Sequence, residues 1–423
     1  MHNFFIYRRL LLIFLTAQLS TLFGQDTGPK GIPSLSFEDA LLRVTANDPE
    51  LRRLDANVAQ AEGQVVQADL RPNPVVGAEL ENILGTGPFE GVKSAEITLG
   101  MSQLIETAGK RAKRTALART ERERVLWQRD LRLAEIESEV HFAFVEILMM
   151  QEMIDLRRQQ LSLAERSEKE TKRHVEAART SQVDLSRAQL AVRRQEVAIQ
   201  QAERSLVAAK SHLAGLWGDP NSAAFEVTGS VHVEAQLPSL PVLLTVFSQT
   251  LTMQEYDLIT RTHQAELELE QAYAKSDFEI FGGARYFNEE AGDVAFMVGI
   301  EVPLPLFDKN QGNVLSAQAR LNAVAFEAEA RQREWRSTLT ESYQALGAAH
   351  ADIKSLQQDL RPSAEQVLAE TEAGYERGQF NLLSVLESRA TLFEIREAYL
   401  DALHRYATAQ ARIETLTRTT PLK

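Results

Sequence analysis

The sequence predicts a mainly α-helical protein with a small β part, in which a strand pair followed by a long coiled-coil helical hairpin occurs twice in tandem. Three observations predict it. Residues 110–214 contain neither glycine nor proline. Four short segments alternate apolar with polar residues, two ahead of each helix-forming stretch. The second half of the chain repeats the plan of the first at an offset near 200 residues. Length agrees: 423 residues, 44% of them hydrophobic, hold two ordinary domains with sizeable cores.

Residues 1–24 carry the marks of a secretory signal peptide. Arg8 and Arg9 form the basic start, Leu10 to Leu15 the apolar centre, and a Ser/Thr/Gly-containing stretch precedes Gln25. The apolar run is too short for a membrane span. No later segment reaches helical spanning length, so a membrane-embedded mature chain would have to cross as strands.

Repeat one is assigned to residues 25–215, with strands at about 74–84 and 94–104 and a helical hairpin at about 109–214. In the first strand Val76, Ala78 and Leu80 alternate with Gly77, Glu79 and Glu81; in the second Ala95, Ile97, Leu99 and Met101 alternate with Glu96, Thr98, Gly100 and Ser102. The hairpin is built of Ala, Leu, Glu, Gln, Arg and Lys, all good helix formers. A single helix of that length would extend about 160 Å at about 1.5 Å per residue. One break is therefore needed, and Arg179 to Ser181 offers it, because Thr180, Ser181 and Asp184 can cap a new helix start. Leu133, Ile136, Val140, Ala143, Ile147, Met150 and Ile154 step alternately by three and four, as do Ile199, Ala202, Leu206, Ala209 and Leu213. These are coiled-coil seams.

Residues 216–241 form a Gly/Pro-punctuated connector. Repeat two follows over 242–418, with strands at about 277–287 and 294–303 and a hairpin at about 313–418 whose turn is Gly378 to Asn381. The third strand sets Phe278, Ile280, Ala284 and Tyr286 against Glu279, Gly283 and Arg285, with Phe281 and Phe287 breaking the polar side; the fourth sets Phe296, Val298, Ile300 and Val302 against Ala295, Met297, Gly299 and Glu301. Strands of this length and pattern suit either a transmembrane β-barrel or a half-exposed soluble sheet. Four strands close no barrel, since the smallest known have about eight, but three copies would supply about twelve.

Composition excludes several classes. With 46 basic against 59 acidic residues the net charge is −13, which repels phosphate backbones, so no nucleic-acid partner is expected. Cysteine is absent, which removes disulfides, thiolate metal sites, thiol nucleophiles and lipidation of an N-terminal cysteine. No Walker loop, nucleophile elbow or HExxH motif occurs, and Gly85-Thr86-Gly87-Pro88 lacks the strand-to-helix setting of a dinucleotide site, so the chain reads as a non-enzyme without cofactor. None of the eight histidines stands four residues from another, and Met149, Met150 and Met153 lie in a helix seam, so no metal site is expected.

Local motifs carry a family resemblance. Ser102-Gln103-Leu104-Ile105-Glu106 with Gly109-Lys110-Arg111, Pro303-Leu304-Pro305-Leu306-Phe307-Asp308 with Asn310-Gln311-Gly312, and Ala373-Gly374-Tyr375-Glu376-Arg377-Gly378 with Val385-Leu386 occur in the order found in TolC-type outer-membrane efflux channels, and resemble the heavy-metal CzcC and CusC branch. The resemblance covers nearly the whole mature chain. It implies a homotrimer in which a 12-stranded outer-membrane β-barrel continues into a 12-helix periplasmic α-barrel. It also implies a passive exit duct in a tripartite pump, working with a periplasmic adaptor protein and an inner-membrane RND transporter, for heavy-metal cations. The location would be the outer membrane of a Gram-negative-type cell, reaching into the periplasm. The same duct role for drugs or other small molecules, a periplasmic adaptor and a coiled-coil scaffold remain the alternatives.

Residue roles follow from that resemblance. Asp184, Arg187, Tyr375, Gly378 and Glu387 fall at the periplasmic tips that form the gate and adaptor contact, with a Tyr375 hydroxyl to Asp184 carboxylate bond expected to hold the closed state. Asp184 as a plain helix cap and Tyr375 as a packing residue is the alternative. Phe380 stands where relatives carry a basic residue. Glu79, Glu81, Glu96, Glu279 and Glu301, on the polar side of the strands, would face the lumen, either biasing it toward cations or serving as generic polar lumen residues. Pro303 and Pro305 would end strand pairing, and Gly109, Asn310 and Gly312 would permit the turns from strand to helix.

Overall fold

The computed structural model describes residues 33–288 and 292–420. The proposed signal peptide, 1–24, lies outside the described residues. The elements in chain order are β1 (Ser34–Leu35), α1 (Phe37–Asn47), α2 (Pro49–Ala68), β2 (Val75–Glu81), β3 (Glu96–Ile105), α3 (Lys110–Glu176), α4 (Gln182–Leu216), β4 (Glu226–Val227), α5 (Leu240–Thr245), α6 (Leu251–Tyr273), β5 (Phe278–Phe287), β6 (Asp293–Glu301), α7 (Gln311–Ser355), α8 (Arg361–Glu376) and α9 (Leu382–Thr417).

Four helical columns run side by side. Helix α3, 67 residues and so about 100 Å long, packs on α2 and α4 along one side and on α6 and α9 along the other. In turn α6 and α9 pack on α7, and α8 continues α7 against α9. Helices α2 and α4 thus form one edge of the protomer, and α7 with α8 the other. Between α7 and α8, Leu356–Leu360 form a single π turn directly ahead of Pro362. The ring of Pro362 has no amide hydrogen to give the preceding turn, and the ladder widens there. The alternating strands and uninterrupted helical stretches predict most of this layout, but not that π turn, nor helices α1, α2 and α6. Of these, α2 had a local signal: Asp48 caps it by accepting from the Leu51 amide at 2.7 Å, and Pro49 occupies its first turn.

The two hairpin tips are the same turn written twice. At the first, the Ala178 amide donates to Val175 O and the Arg179 amide to His174 O, with Ala178 left-handed at φ 55°; at the second, Gly378 donates to Tyr375 O and Gln379 to Gly374 O, with Gly378 at φ 73°. Both are Schellman caps. Each leads into a side-chain cap two residues on, Ser181 for α4 and Asn381 for α9.

The apolar core sits part-way along the columns, where chain segments wrap around them. Ile136, Val140 and Ile147 of the predicted α3 seam are fully buried there with Leu213 of α4, Leu339 of α7 and Tyr406 of α9. The N-terminal strand β1 lies parallel to β4 of the connector, and the Gln151 side chain clasps Val227 of β4, donating to its carbonyl at 3.0 Å and accepting from its amide at 3.1 Å. Met149 is buried in this core.

The remaining strands form one antiparallel sheet in the order β2-β3-β5-β6. Hairpins β2–β3 and β5–β6 come one from each repeat, and β3 pairs with β5 across the duplication. Strands β2 and β6 are left as edges.

Candidate functional site

Register aligns the side chains of the four strands into two opposed faces. Val76 stands opposite Met101, Leu80 opposite Ile97, Leu99 opposite Ala284, and Ala284 opposite Phe296. On this apolar face Val76, Leu80, Leu99, Met101, Phe296 and Val298 are between 54% and 87% exposed. The other face carries Glu79, Glu81, Glu96, Glu279 and Glu301 together with Thr98, Ser102 and Arg285, and there Thr98 is only 9% exposed. A sheet resting on a water-soluble core would hide the first set and expose the second. Here the apolar set is the exposed one, as on a strand whose outer face meets lipid.

Phe281, which interrupts the polar face, is accommodated by its cross-strand partner. A β-carbon on Gly299 would lie 2.2 Å from the Phe281 Cζ atom, so the ring occupies the space that the missing side chain leaves. The carboxylates are not all free. Arg285 holds two of them, with Nη1 2.8 Å from Glu96 Oε2 and Nη2 3.0 Å from Glu81 Oε2. Alternation alone assigned Arg285 to the polar side but could not show these partners, because they require the β3–β5 register.

The strand-to-helix turns divide their labour differently from the sequence expectation. Gly109 and Asn310 are the left-handed residues directly ahead of α3 and α7, at φ 69° and 57°. Asn310 also donates its side-chain amide to Glu270 O at 2.8 Å, tying the turn to α6. Gly312, by contrast, lies inside the first turn of α7 and supplies no turn conformation. Pro303 and Pro305 follow the last paired residue of β6, and the Pro303 carbonyl accepts from Ser276 Oγ at 2.6 Å.

At the tips the expected Tyr375–Asp184 bond is absent. The Tyr375 hydroxyl lies 3.2 Å from His174 Nδ1, and the two rings stack. Asp184 is engaged locally instead: its carboxylate accepts from Ser181 Oγ at 2.6 Å and Thr180 Oγ1 at 2.9 Å, and the Ser181 amide donates to it at 3.3 Å while the Asp184 amide donates to Ser181 Oγ at 3.2 Å, a capping box for α4. Those two hydroxyls hold its carboxyl below the usual range. Burial pushes the Tyr375 hydroxyl up, as do the nearby Glu170 and Asp184 charges. Arg187 approaches Asp184 to 3.7 Å, and among the described residues the Glu387 side chain makes no ion pair. Sequence spacing missed two residues here, His174 and Arg389. Arg389 of α9 donates to Ser167 of α3 at 2.5 Å and pairs with Glu372 of α8 at 2.6 Å, linking the two hairpins just above the tips. Phe380 lies against Gly374, where an added β-carbon would meet its ring at 2.3 Å.

No helix among the described residues is long and apolar enough to cross a membrane, and none of their His, Asp and Glu side chains gather in threes that would hold a metal ion.

Comparison with known proteins decides the family. The model of the outer membrane efflux protein family matches residues 41–219 and 234–417, one segment per repeat. The chain belongs to that family. Its relatives include the cobalt-zinc-cadmium resistance protein CzcC of Cupriavidus metallidurans, 27% identical over 98% of this chain and 99% of that one. Among solved structures, CusC superposes with a TM-score of 0.73 at 16% identity, covering 91% of this chain and 92% of its own, and VceC of Vibrio cholerae with 0.71 at 17% identity, covering 90% and 95%. These likenesses establish the fold. This outer membrane efflux protein is a duct, and its four-stranded sheet is an open fraction of a barrel.

Proposed function

We propose that three copies of this outer membrane efflux protein, exported on residues 1–24, close into one continuous duct that releases heavy-metal cations across the outer membrane. A periplasmic adaptor and an inner-membrane RND transporter would feed it. The observation that carries this reading is the sheet's exposed apolar face, opposite a polar face on which Glu81, Glu96, Glu279 and Arg285 are half-buried, with β2 and β6 left unpaired at its edges. Barrel closure removes such edges. Full-length similarity to a cobalt-zinc-cadmium resistance protein supports the metal substrate. The five carboxylates of the polar face would line the lumen and favour cations.

The helical edges support threefold closure independently. On α4, Val183, Leu190 and Val197 recur every seven residues and are 60%, 52% and 53% exposed; at the opposite edge Leu360 and Val367 share that spacing and are 47% and 53% exposed. Heptad stripes without a partner inside the chain are seams for another copy. Leu190 and Val367 lie at matching depth from the tips. Since the chain has no cysteine of its own, a Leu190→Cys, Val367→Cys double variant should run as a disulfide-linked trimer on non-reducing gels of outer-membrane fractions. A purely monomeric, water-soluble product would defeat the proposal. Loss of cobalt, zinc or cadmium tolerance on deletion of the gene would support the substrate, and unchanged tolerance would count against it.

The tips, Asp184, Arg187, Tyr375, Gly378 and Glu387, form in this reading the periplasmic gate and the adaptor contact. Tyr375 contributes through His174 rather than Asp184. Tyr375→Phe trimers in planar bilayers should therefore leak more than wild type in the closed state, and Asp184→Asn trimers, which keep the helix cap, should leak no more. Equal leakage of wild type and Tyr375→Phe would remove Tyr375 from the gate.

A further inference from the structure

Two pairs of carboxylates stand directly opposite each other on the polar face of the sheet: Glu81 and Glu96 beside the loop 82–95, and Glu279 and Glu301 beside the turns into the helices. Like charges set directly across a sheet repel and destabilise it. The two pairs are treated differently. Between Glu81 and Glu96 comes the Arg285 guanidinium, whose Nη2 and Nη1 atoms reach their Oε2 atoms at 3.0 Å and 2.8 Å, while its Nε donates to Thr98 Oγ1 at 2.9 Å. One planar fork on β5 thus addresses both β2 and β3. Thr98, its direct cross-strand neighbour, is buried, and Asn82 donates to the second oxygen of Glu96 at 2.9 Å, so the Glu96 carboxylate is held on both sides. Glu279 and Glu301 make no ion pair among the described residues.

We infer that Arg285 sets the ion preference of the loop end of the duct by cancelling charge on the Glu81–Glu96 pair and holding both carboxylates against the wall. The inference rests on the lumen reading above and adds a residue to it. With Arg285 in place, the trio carries one negative charge per chain; without it, two. A pore wall of low dielectric focuses such fixed charge on the passing ions. Lysine would keep the charge while losing the fork geometry, so charge and architecture are separable by substitution.

The test uses full-length protein reconstituted in planar bilayers under a potassium chloride gradient, with the reversal potential read as the ratio of potassium to chloride permeability. Arg285→Gln should raise that ratio by about twofold or more at about 0.1 M salt, where the screening length is about 10 Å, and the rise should shrink at about 1 M, where it is about 3 Å. Arg285→Lys should stay close to wild type. Adding Glu81→Gln and Glu96→Gln to Arg285→Gln should bring the ratio back to wild type or below. Should Arg285→Gln fail to assemble, Glu81→Gln with Arg285 intact answers the same question, since it must lower the ratio. An assembled Arg285→Gln channel with an unchanged ratio, or a Glu81→Gln channel with one, overturns the assignment. A wild-type protein that inserts but never conducts overturns the duct reading itself, and is told apart because no ratio is then measurable for any variant.

Discussion

Asp277→Ala is expected to cost about 3–5 kcal/mol and to abolish most folded protein, because it strands a buried ammonium at the joint between sheet and helices. The Lys110 side chain is 5% exposed, and its Nζ lies 2.8 Å from Asp277 Oδ2 and 2.7 Å from the Lys275 carbonyl. The other Asp277 oxygen accepts from the Thr107 amide at 2.7 Å. Removing the carboxylate therefore leaves both a charge and a backbone donor without their partner. Asp277→Asn retains an acceptor for Thr107 and should cost less than the alanine. Burial alone would raise the Asp277 carboxyl, but the Lys110 hydrogen bond and charge and the Thr107 amide together hold it below its ordinary value. The sign follows: a depressed folded value gives stability that is complete above the unfolded value, about 3.9, and is lost as pH falls through the folded one. Acid unfolding of detergent-solubilised protein, followed by circular dichroism, should start at higher pH in wild type than this single group's folded value and should flatten below pH about 4 in Asp277→Asn. An alanine variant with wild-type yield and midpoint would show that Lys110 finds another counter-charge.

That joint also marks the boundary of what was legible beforehand. The strands could be read because period-two alternation survives in Leu99, Met101, Phe296 and Val298 whatever the sheet packs against. The long hairpins could be read because nothing between Lys110 and Ala214 interrupts a helix. Helices α2 and α6 fell between those signals. Each is a short column set end-on to a longer one, α6 beneath α9; α2 carries Gly63 within it, and α6, at 23 residues against 67, is far shorter than α3. The site was less legible still. Arg285 is 189 residues from Glu96, and His174 is 201 from Tyr375. Spacing within an element cannot reveal such pairs, since they depend on the register of β3 on β5 and on how the hairpins lie side by side. Within the protomer Asp184 is not bonded to Tyr375, for a local reason. A carboxylate three residues beyond the Ser181 cap of α4 satisfies that cap first.

Trp335→Ala is the second substitution of large expected effect, about 3–5 kcal/mol. Trp335 is 4% exposed, its ring centroid lies 4.7 Å from that of Phe247 at a tilt of 49°, and its Nε1 donates to Leu416 O at 2.8 Å. Leu416 sits in the last turn of α9, where carbonyls lack partners within the helix. Trp335 thus serves as a side-chain cap for α9 while its ring pins the segment that leads into α6. The start of α6 completes the joint, the Leu251 amide donating to Arg418 O at 2.9 Å and the Gln254 side chain to Thr419 O at 2.9 Å. One short column is thereby stacked on the other, and the pair can act as a single column against α7. Trp335→Phe keeps the ring contact and orphans one carbonyl, so it should cost about 1–3 kcal/mol. Thermal loss of the helical circular dichroism signal should follow the order wild type, Trp335→Phe, Trp335→Ala. If the alanine variant melts with wild type, Leu251 and Gln254 alone hold the stacked columns, and the indole is dispensable to the joint.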